Sequence, residues 1–197
     1  MDSCGNIFLE MSNLATNPDT KKLASLSKLT KLIHSNALEI YSDDTELQNK
    51  FKGDVFEIFA ELFFNFHSTD NRFGIKNYIA TNFGDAGVDG SGTNVNGDRV
   101  VVQVKYRIDP TKPIIYEDLS KTWTQGTHPL QPFNIDPTKP NVVVCFTNSF
   151  VYYTARKYIP KSILEIGNRE ISSVVDRNVT FWKSCYEIVN SMRTADE

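Results

Sequence analysis

One short segment constrains the fold of this chain more than any other. Residues 100–104 read Val-Val-Val-Gln-Val, so a strand at this position is apolar on both faces. Such strands are buried between two layers of structure, as the central strands of α/β proteins are. An Asn96-Gly97 pair lies just before the segment and is a strong signal for a β-hairpin. The sequence therefore predicts a strand over 99–106, paired with a partner strand over 88–95.

Helical periodicity is found on both sides of this hairpin. Apolar residues recur every three or four positions over Lys21–Tyr41 and, with many aromatics, over Glu46–Phe66. We expect the aromatic-rich helix to lie against a sheet. Residues 1–20 look irregular, and residues 171–192 mix strand and helix signals. The remaining predicted elements are strands over 75–81 and 142–146 and helices over 116–123 and 151–158. Together they predict an α/β fold with a central mixed β-sheet flanked by helices.

Length and charge narrow the class of protein. The chain has 197 residues with 13 Phe, 8 Tyr and 2 Trp, enough large apolar groups for a sizeable core. We expect an N-terminal helical extension over 1–45 and one domain over 46–197. The formal net charge of -3 excludes a polycation that binds nucleic acid without specificity. The charge is uneven, because residues 21–31 carry four lysines and no acid, whereas residues 40–62 carry six acids and two lysines.

The three cysteines and three histidines do not have the pattern of a metal site, and the cysteines do not have that of a disulfide-bonded protein. Neither set has the close spacing of a zinc site or a disulfide framework. The sequence also has no run of about 18 apolar residues and no cationic, apolar leader. We therefore expect a protein of the reducing cytoplasm.

Chemistry is indicated by Gly87-Val88-Asp89-Gly90, followed 13 residues later by Gln103-Val104-Lys105. Residues two apart in a strand point to the same face, so Gln103 and Lys105 project together. A polar pair on an otherwise apolar strand is costly to bury unless it lines a site. The structural alternatives are a turn aspartate at Asp89, a buried network at Gln103 and a solvated lysine at Lys105.

The hairpin register decides whether Asp89 joins this pair. A two-residue Asn96-Gly97 turn would pair Asp89 with Val104, on the wrong face. A three-residue loop over 95–97, with Gly97 in the left-handed conformation, pairs Asp89 with Gln103 instead. A bulge at Gly90 or Gly92 would give the same shift.

These residue types suit phosphodiester hydrolysis. Carboxylate and amide oxygens are ligands that Mg²⁺ accepts together with water. An ammonium group beside them can assist an attacking water or offset charge that develops on a phosphate. A metal ion with a lysine beside it can supply Lewis-acid polarisation, a metal-bound nucleophile and stabilisation of the leaving oxygen, which phosphodiester hydrolysis needs.

The order of these motifs resembles the PD-(D/E)XK nuclease superfamily, and most closely its Mrr-type restriction endonuclease branch, where Gln often replaces the acidic residue. Phe56-Glu57 is similar to the first-helix motif of that family, and Asp85-Ala86-Gly87 to the approach to its central strand. Val142–Asn148 with Thr154-Ala155-Arg156 is similar to its fourth strand and following helix. The resemblance covers roughly residues 50–165 and implies a restriction-endonuclease-like core.

The resemblance also implies a set of site residues. Asp89, Gln103 and Glu57 would bind Mg²⁺, with Mn²⁺ as a substitute, and Lys105 would assist the attacking water. Glu61 and Asp54 are the alternatives to Glu57. The uncharged Gln103 departs from the acidic pattern, which implies greater dependence on Glu57. A long insertion over 109–141 also departs from the minimal core.

The activity implied is that of a Mg²⁺-dependent DNA endonuclease of restriction, homing or repair type, with RNA as the alternative substrate. Such enzymes commonly act as homodimers, and this activity implies a location at the nucleoid, or in the host cytoplasm if a phage encodes the protein. The rival hypothesis is a catalytically silent DNA-binding or assembly module that keeps the fold. The basic residues that we select as candidates for DNA contact are Lys21, Lys22, Lys28, Lys31, Arg107, Lys121, Arg156 and Lys157.

Overall fold

A computed structural model of the chain describes residues 2–66, 73–81, 87–128, 133–152, 157 and 162–195. These residues divide into two compact units, one of Met1–Val55 with Arg169–Glu197 and one of Phe56–Asn168. The sequence-based domain boundary at residue 45 stays a prediction. The elements are α1 (Asp2–Thr16), α2 (Leu26–Ile40), α3 (Thr45–Phe66), β1 (Lys76–Ala80), β2 (Gly90–Thr93), β3 (Arg99–Lys105), α4 (Tyr116–Thr127), β4 (Val143–Thr147), β5 (Ile163–Ile166), α5 (Asn168–Val175) and α6 (Val179–Ala195).

We predicted an irregular N-terminal segment, but the structure shows that it is helical. Helix α1 covers nearly all of it and ends at Thr16, just before Asn17-Pro18. Its buried side chains recur every three or four residues, and the helix packs against α6. The apolar residues among them are Cys4, Ile7, Phe8, Met11 and Ala15.

Helix α2 begins later than predicted, at Leu26. Lys21–Leu23 form a separate 3₁₀ turn, so the predicted helix over Lys21–Tyr41 is too long at its start. Ser25 is the N-cap, because its hydroxyl accepts the backbone N–H of Lys28 at 3.2 Å. The carboxylate of Asp176 accepts the N–H of Leu26 at 2.8 Å and satisfies a second donor of the first turn.

The C-terminal region forms two helices, α5 and α6, where the sequence signals were mixed. Trp182 is fully buried, and its Nε1 donates to the carbonyl of Val175 at 2.8 Å, which ties the helices together. The preceding strand, β5, was not predicted.

The second unit is built on a five-stranded sheet in the order β1-β2-β3-β4-β5. The first three strands are antiparallel, and β3, β4 and β5 are parallel. This confirms the predicted α/β class with a mixed sheet between helices. As predicted, the aromatic face of α3 lies on the sheet, where four phenylalanine rings stand 5.2–5.9 Å from the ring of Phe146. These rings belong to Phe56, Phe59, Phe63 and Phe64.

The hairpin between β2 and β3 has the three-residue loop. Asn94 N–H donates to Asp98 O at 2.9 Å, which closes the loop over 95–97. Gly97 has φ +85°, in the left-handed region that glycine tolerates best. The ladder then pairs Gly90 with Val102. This register is the one that sets Asp89 beside Gln103, so of the alternatives that the sequence left open the structure has the three-residue loop.

Several predictions lie outside the described residues. The predicted helix over 151–158 falls there except for residues 151, 152 and 157, and so do Asp85-Ala86 and Thr154-Ala155-Arg156. Among the described helices, none combines the length and apolar character needed to cross a membrane.

Candidate active site

Asp89 and Gln103 are in direct contact at the end of the β2–β3 ladder. Gln103 Nε2 donates to Asp89 Oδ2 at 2.5 Å, and the backbone N–H of Val104 donates to the same oxygen at 2.7 Å. Gln103 is 3% exposed, and Asp89 is half-buried. The backbone of Asp89 is also held, since its N–H donates to Val102 O and its carbonyl accepts Thr81 N–H, both at 2.9 Å.

The two oxygens of Asp89 differ in their surroundings. Both hydrogen bonds go to Oδ2, whereas Oδ1 accepts none from the residues that the structure describes. Burial raises the pKa of Asp89, although the N–H of Val104, the charge of Lys105 and the amide of Gln103 oppose the increase. A partly buried carboxylate of this kind is stabilised by an additional positive charge. Such perturbed carboxyl groups are common at functional sites.

Lys105 ends β3 two residues after Gln103, so the two side chains leave the same face of the strand. It is half-buried. Within the described parts of the chain, its ammonium forms no ion pair and no hydrogen bond. Its charge lowers the pKa of Asp89 and of the buried Cys145 thiol, although burial keeps the latter raised overall. The lysine is therefore near the carboxylate without being neutralised by it.

Glu57 lies at an exposed position of α3, and Glu61 follows one turn later. The charges of both glutamates affect the pKa of Tyr78. The ring of Tyr78 is buried and stacks on Phe64 with 4.8 Å between ring centroids. Burial raises the pKa of Tyr78, and the charges of Asp89, Glu61 and Glu57 raise it further. Both glutamates are thus electrostatic neighbours of the phenol that Asp89 also influences.

Asp54, the other alternative to Glu57, has a different partner. Its carboxylate pairs with Lys50, one turn earlier on α3, at 2.7 Å, and both side chains are largely exposed. This arrangement is an ordinary surface ion pair.

The side-chain oxygens of Asp89 and Gln103 suit a hard cation that retains several water ligands. In the ranges that the structure describes, no three His, Cys, Asp or Glu side chains are grouped closely enough to hold a metal ion. Asp89 and Gln103 supply one carboxylate and one amide. Mg²⁺ binds proteins through one or two carboxylates and retains several waters, so this pair is a suitable partial ligand set.

Thr122 is a site residue that the sequence did not reveal. It is fully buried on α4, and its Oγ1 hydrogen-bonds to Gln103 Oε1 and lies 2.5 Å from the carbonyl oxygen of Gly87. The only sequence signal is the helical spacing of Leu119, Thr122 and Gly126, the three buried residues of α4. That spacing indicates a buried face but not its neighbour.

Close packing on the sheet fixes the position of α4. A Cβ atom at Gly126 would lie 2.8 Å from the Val101 side chain, so glycine allows the helix to approach β3. At the start of α4, the carboxylate of Asp118 accepts the N–H of Ile115 at 2.9 Å and pairs with Arg107. The predicted insertion over 109–141 therefore contributes a helix that covers the site face of the sheet.

The basic candidates for DNA contact differ in their surroundings. Lys28 pairs with Glu10 at 3.0 Å, and Arg107 is held by Asp118. The stem of Lys121 lies against Gly87, which is next to the site in sequence. The other described candidates are exposed, namely Lys21, Lys22, Lys31 and Lys157, and Arg156 lies outside the described residues.

Comparison of the chain with protein-family models, with curated proteins and with solved structures gave no match in any of the three. The functional assignment therefore depends on the residues and their geometry.

Proposed function

We propose that the protein is a Mg²⁺-dependent nuclease that hydrolyses phosphodiester bonds in DNA, in the manner of the PD-(D/E)XK superfamily that its motifs resemble. The observation that carries this proposal is the contact between Gln103 Nε2 and Asp89 Oδ2 at 2.5 Å, with Lys105 on the same face of β3. Polar groups are costly to bury, and these three lie together at the end of a buried strand.

Asp89 and Gln103 would hold the cation, and Glu57 would complete its ligands directly or through water. When bound, Mg²⁺ supplies Lewis-acid polarisation of the phosphate. Asp89 suits this role because its Oδ1 accepts no hydrogen bond from described residues and its charge is partly desolvated. The bonds to Oδ2 hold the carboxylate in one orientation.

Lys105 would act on the substrate. Its ammonium can orient an attacking water and offset the charge that develops on the phosphate oxygens. The lack of an ion pair with any described residue supports this role, since a neutralised lysine would attract a phosphate less strongly.

A second candidate function is a silent DNA-binding module of the same fold. It is favoured by the amide orientation of Gln103, whose nitrogen faces Asp89 while its oxygen faces Thr122. In that orientation the amide donates to the carboxylate and offers no oxygen to a cation beside it.

One experiment tests both functions. The protein is incubated with supercoiled DNA, linear DNA and RNA in Mg²⁺, Mn²⁺ or EDTA, and binding is measured in parallel by gel shift. Asp89→Asn and Lys105→Ala should each reduce cleavage at least about 100-fold. Asp98→Asn, next to the hairpin loop, and Lys112→Ala, on an exposed loop, are matched controls that should cleave normally. Equal cleavage by all five proteins would contradict the site, and DNA binding without cleavage would establish the silent module.

A further inference from the structure

The hydroxyl of Thr122 has one proton and two acceptor oxygens within reach. Its Oγ1 lies within hydrogen-bonding distance of Gln103 Oε1 and 2.5 Å from the carbonyl oxygen of Gly87. Thr122 is fully buried and Gln103 nearly so, which limits the access of water to this contact. A hydroxyl donates one hydrogen bond and accepts others, so Thr122 can serve only one of these oxygens at a time.

The orientation of Gln103 determines which oxygen receives the proton. With Nε2 towards Asp89, Oε1 faces Thr122 and accepts its proton. The hydroxyl then has no proton for Gly87. This orientation satisfies the charge of Asp89 and leaves the Gly87 carbonyl without a donor from Thr122.

A half-turn of the amide exchanges the positions of its oxygen and nitrogen, which have nearly the same size. Nε2 would then donate to Thr122 Oγ1, and the proton of Thr122 would go to Gly87. Oε1 would face the carboxylate of Asp89 and also the carbonyl of Val104, to which Nε2 donates at 3.4 Å in the present orientation. Two oxygens in contact repel each other unless a positive charge lies against both, as a bound cation does.

We infer that Thr122 is a positioning residue that allows Gln103 to turn its amide oxygen towards a divalent cation held by Asp89. The inference rests on the proposed function. Without a cation, Thr122 donates to Gln103. With a cation, Thr122 accepts from Gln103 and donates to Gly87, so the amide nitrogen stays hydrogen-bonded in both orientations.

This role explains how an uncharged glutamine can serve as a cation ligand at this position. Turning the oxygen towards the cation moves the NH₂ group into a buried place where an acceptor is required. A hydroxyl is suited to that place because it can both donate and accept. Groups that orient metal ligands typically change metal affinity about 10- to 100-fold when they are removed.

Two substitutions separate the hydroxyl from the shape of the side chain. Thr122→Val keeps the volume and loses the hydroxyl, whereas Thr122→Ser keeps the hydroxyl. Mg²⁺ and Mn²⁺ affinities are measured by calorimetry on the full chain, with Asp89→Asn as the blank. We expect Thr122→Val to weaken binding about 10- to 100-fold and Thr122→Ser to stay within about threefold of wild type.

A spectroscopic measurement reports the amide directly. The side-chain NH₂ resonances of Gln103, assigned by their loss in Gln103→Glu, are followed by ¹⁵N–¹H NMR during a Mg²⁺ titration. We expect both proton resonances to move as wild type saturates, because their acceptors change. This measurement needs no substitution at Thr122, so it remains decisive if Thr122→Val does not fold.

The outcomes separate this inference from the function on which it rests. If wild type binds Mg²⁺ but Thr122→Val binds equally well, or the Gln103 resonances stay fixed at saturation, the inference is wrong and the nuclease proposal stands. If wild type binds neither cation, the proposed metal-dependent function fails and the inference falls with it.

Discussion

The backbone N–H of Val104 donates to the Asp89 carboxylate at 2.7 Å rather than to a backbone carbonyl of the neighbouring strand. The β2–β3 ladder ends at Gly90, and the side chain of Asp89 takes the next hydrogen bond of β3. A carboxylate used in this way is held rigidly by the sheet. Its burial nevertheless raises its pKa, so the ionised form is costly in the folded protein without a cation.

Asp89→Asn should therefore stabilise the cation-free protein at neutral pH. A raised folded pKa means that the carboxyl contributes most stability below about pH 4, its unfolded value, and loses this contribution as pH rises through the folded value. Asparagine keeps an oxygen for Val104 and does not titrate. In EDTA, the Tm advantage of Asp89→Asn over wild type should grow between about pH 4 and pH 8. Asp98→Asn is the control, and an advantage that shrinks with increasing pH would contradict the direction of the pKa shift.

Local sequence rules were sufficient for the centre of the fold. The double-sided apolar run of β3, the hairpin signal and the aromatic periodicity of α3 each correspond to an element of the structure. Helix α1 was missed because Gly5, Asn6 and several Ser, Asn and Thr residues give it weak intrinsic helix propensity. Its stability depends on packing against α6, which local reasoning does not include. Strand β5 has four residues and is defined by its pairing with β4.

The candidate site was predictable only where strand geometry determines it. Alternation placed Gln103 and Lys105 on one face, whereas the position of Asp89 stayed open, because the sequence allows a two-residue or a three-residue hairpin loop. Thr122 was not predictable, because its contact with Gln103 depends on how α4 packs across the sheet. The contacts between Glu57 and its neighbours depend on tertiary packing in the same way, so the choice between Glu57 and Glu61 stays a prediction.

Gly90→Ala should be strongly destabilising. A Cβ atom there would lie 2.3 Å from the Tyr78 hydroxyl oxygen, and the Tyr78 ring has little room to move because it stacks on Phe64. We expect a loss of about 2–4 kcal/mol in the free energy of unfolding. Gly53→Ala is the matched control, since a Cβ there meets nothing within 4 Å on helix α3 and should stabilise by roughly 0.5–1 kcal/mol. Equal effects of the two changes in urea denaturation would show that the contact between β1 and β2 is looser than the structure indicates.

Asp118→Ala should destabilise the helix that carries Thr122. The carboxylate of Asp118 accepts the N–H of Ile115 at 2.9 Å and pairs with the half-buried Arg107. Losing both interactions should lower the free energy of unfolding by about 1–2 kcal/mol. Asp118→Asn keeps an acceptor for Ile115 and should lose less. Glu117→Ala, on the exposed side of the same turn, is expected to change stability by less than about 0.5 kcal/mol. The order of the three variants in guanidinium denaturation checks the assignment, and a larger loss for Glu117→Ala would contradict it.

Gln103→Glu should make the protein more dependent on a divalent cation. The change puts a second carboxylate at the position where Gln103 Nε2 now lies 2.5 Å from Asp89, so a hydrogen bond becomes a like-charge contact. In EDTA at pH 8 we expect a Tm several degrees below that of wild type. Mg²⁺ should then raise the Tm of Gln103→Glu more than that of wild type, because two anionic ligands bind the cation more tightly than one.

Gln125→Glu on α4 makes the same chemical change outside the site and should respond to Mg²⁺ as wild type does. An equal Mg²⁺ response in all three proteins would show that no cation binds between Asp89 and residue 103.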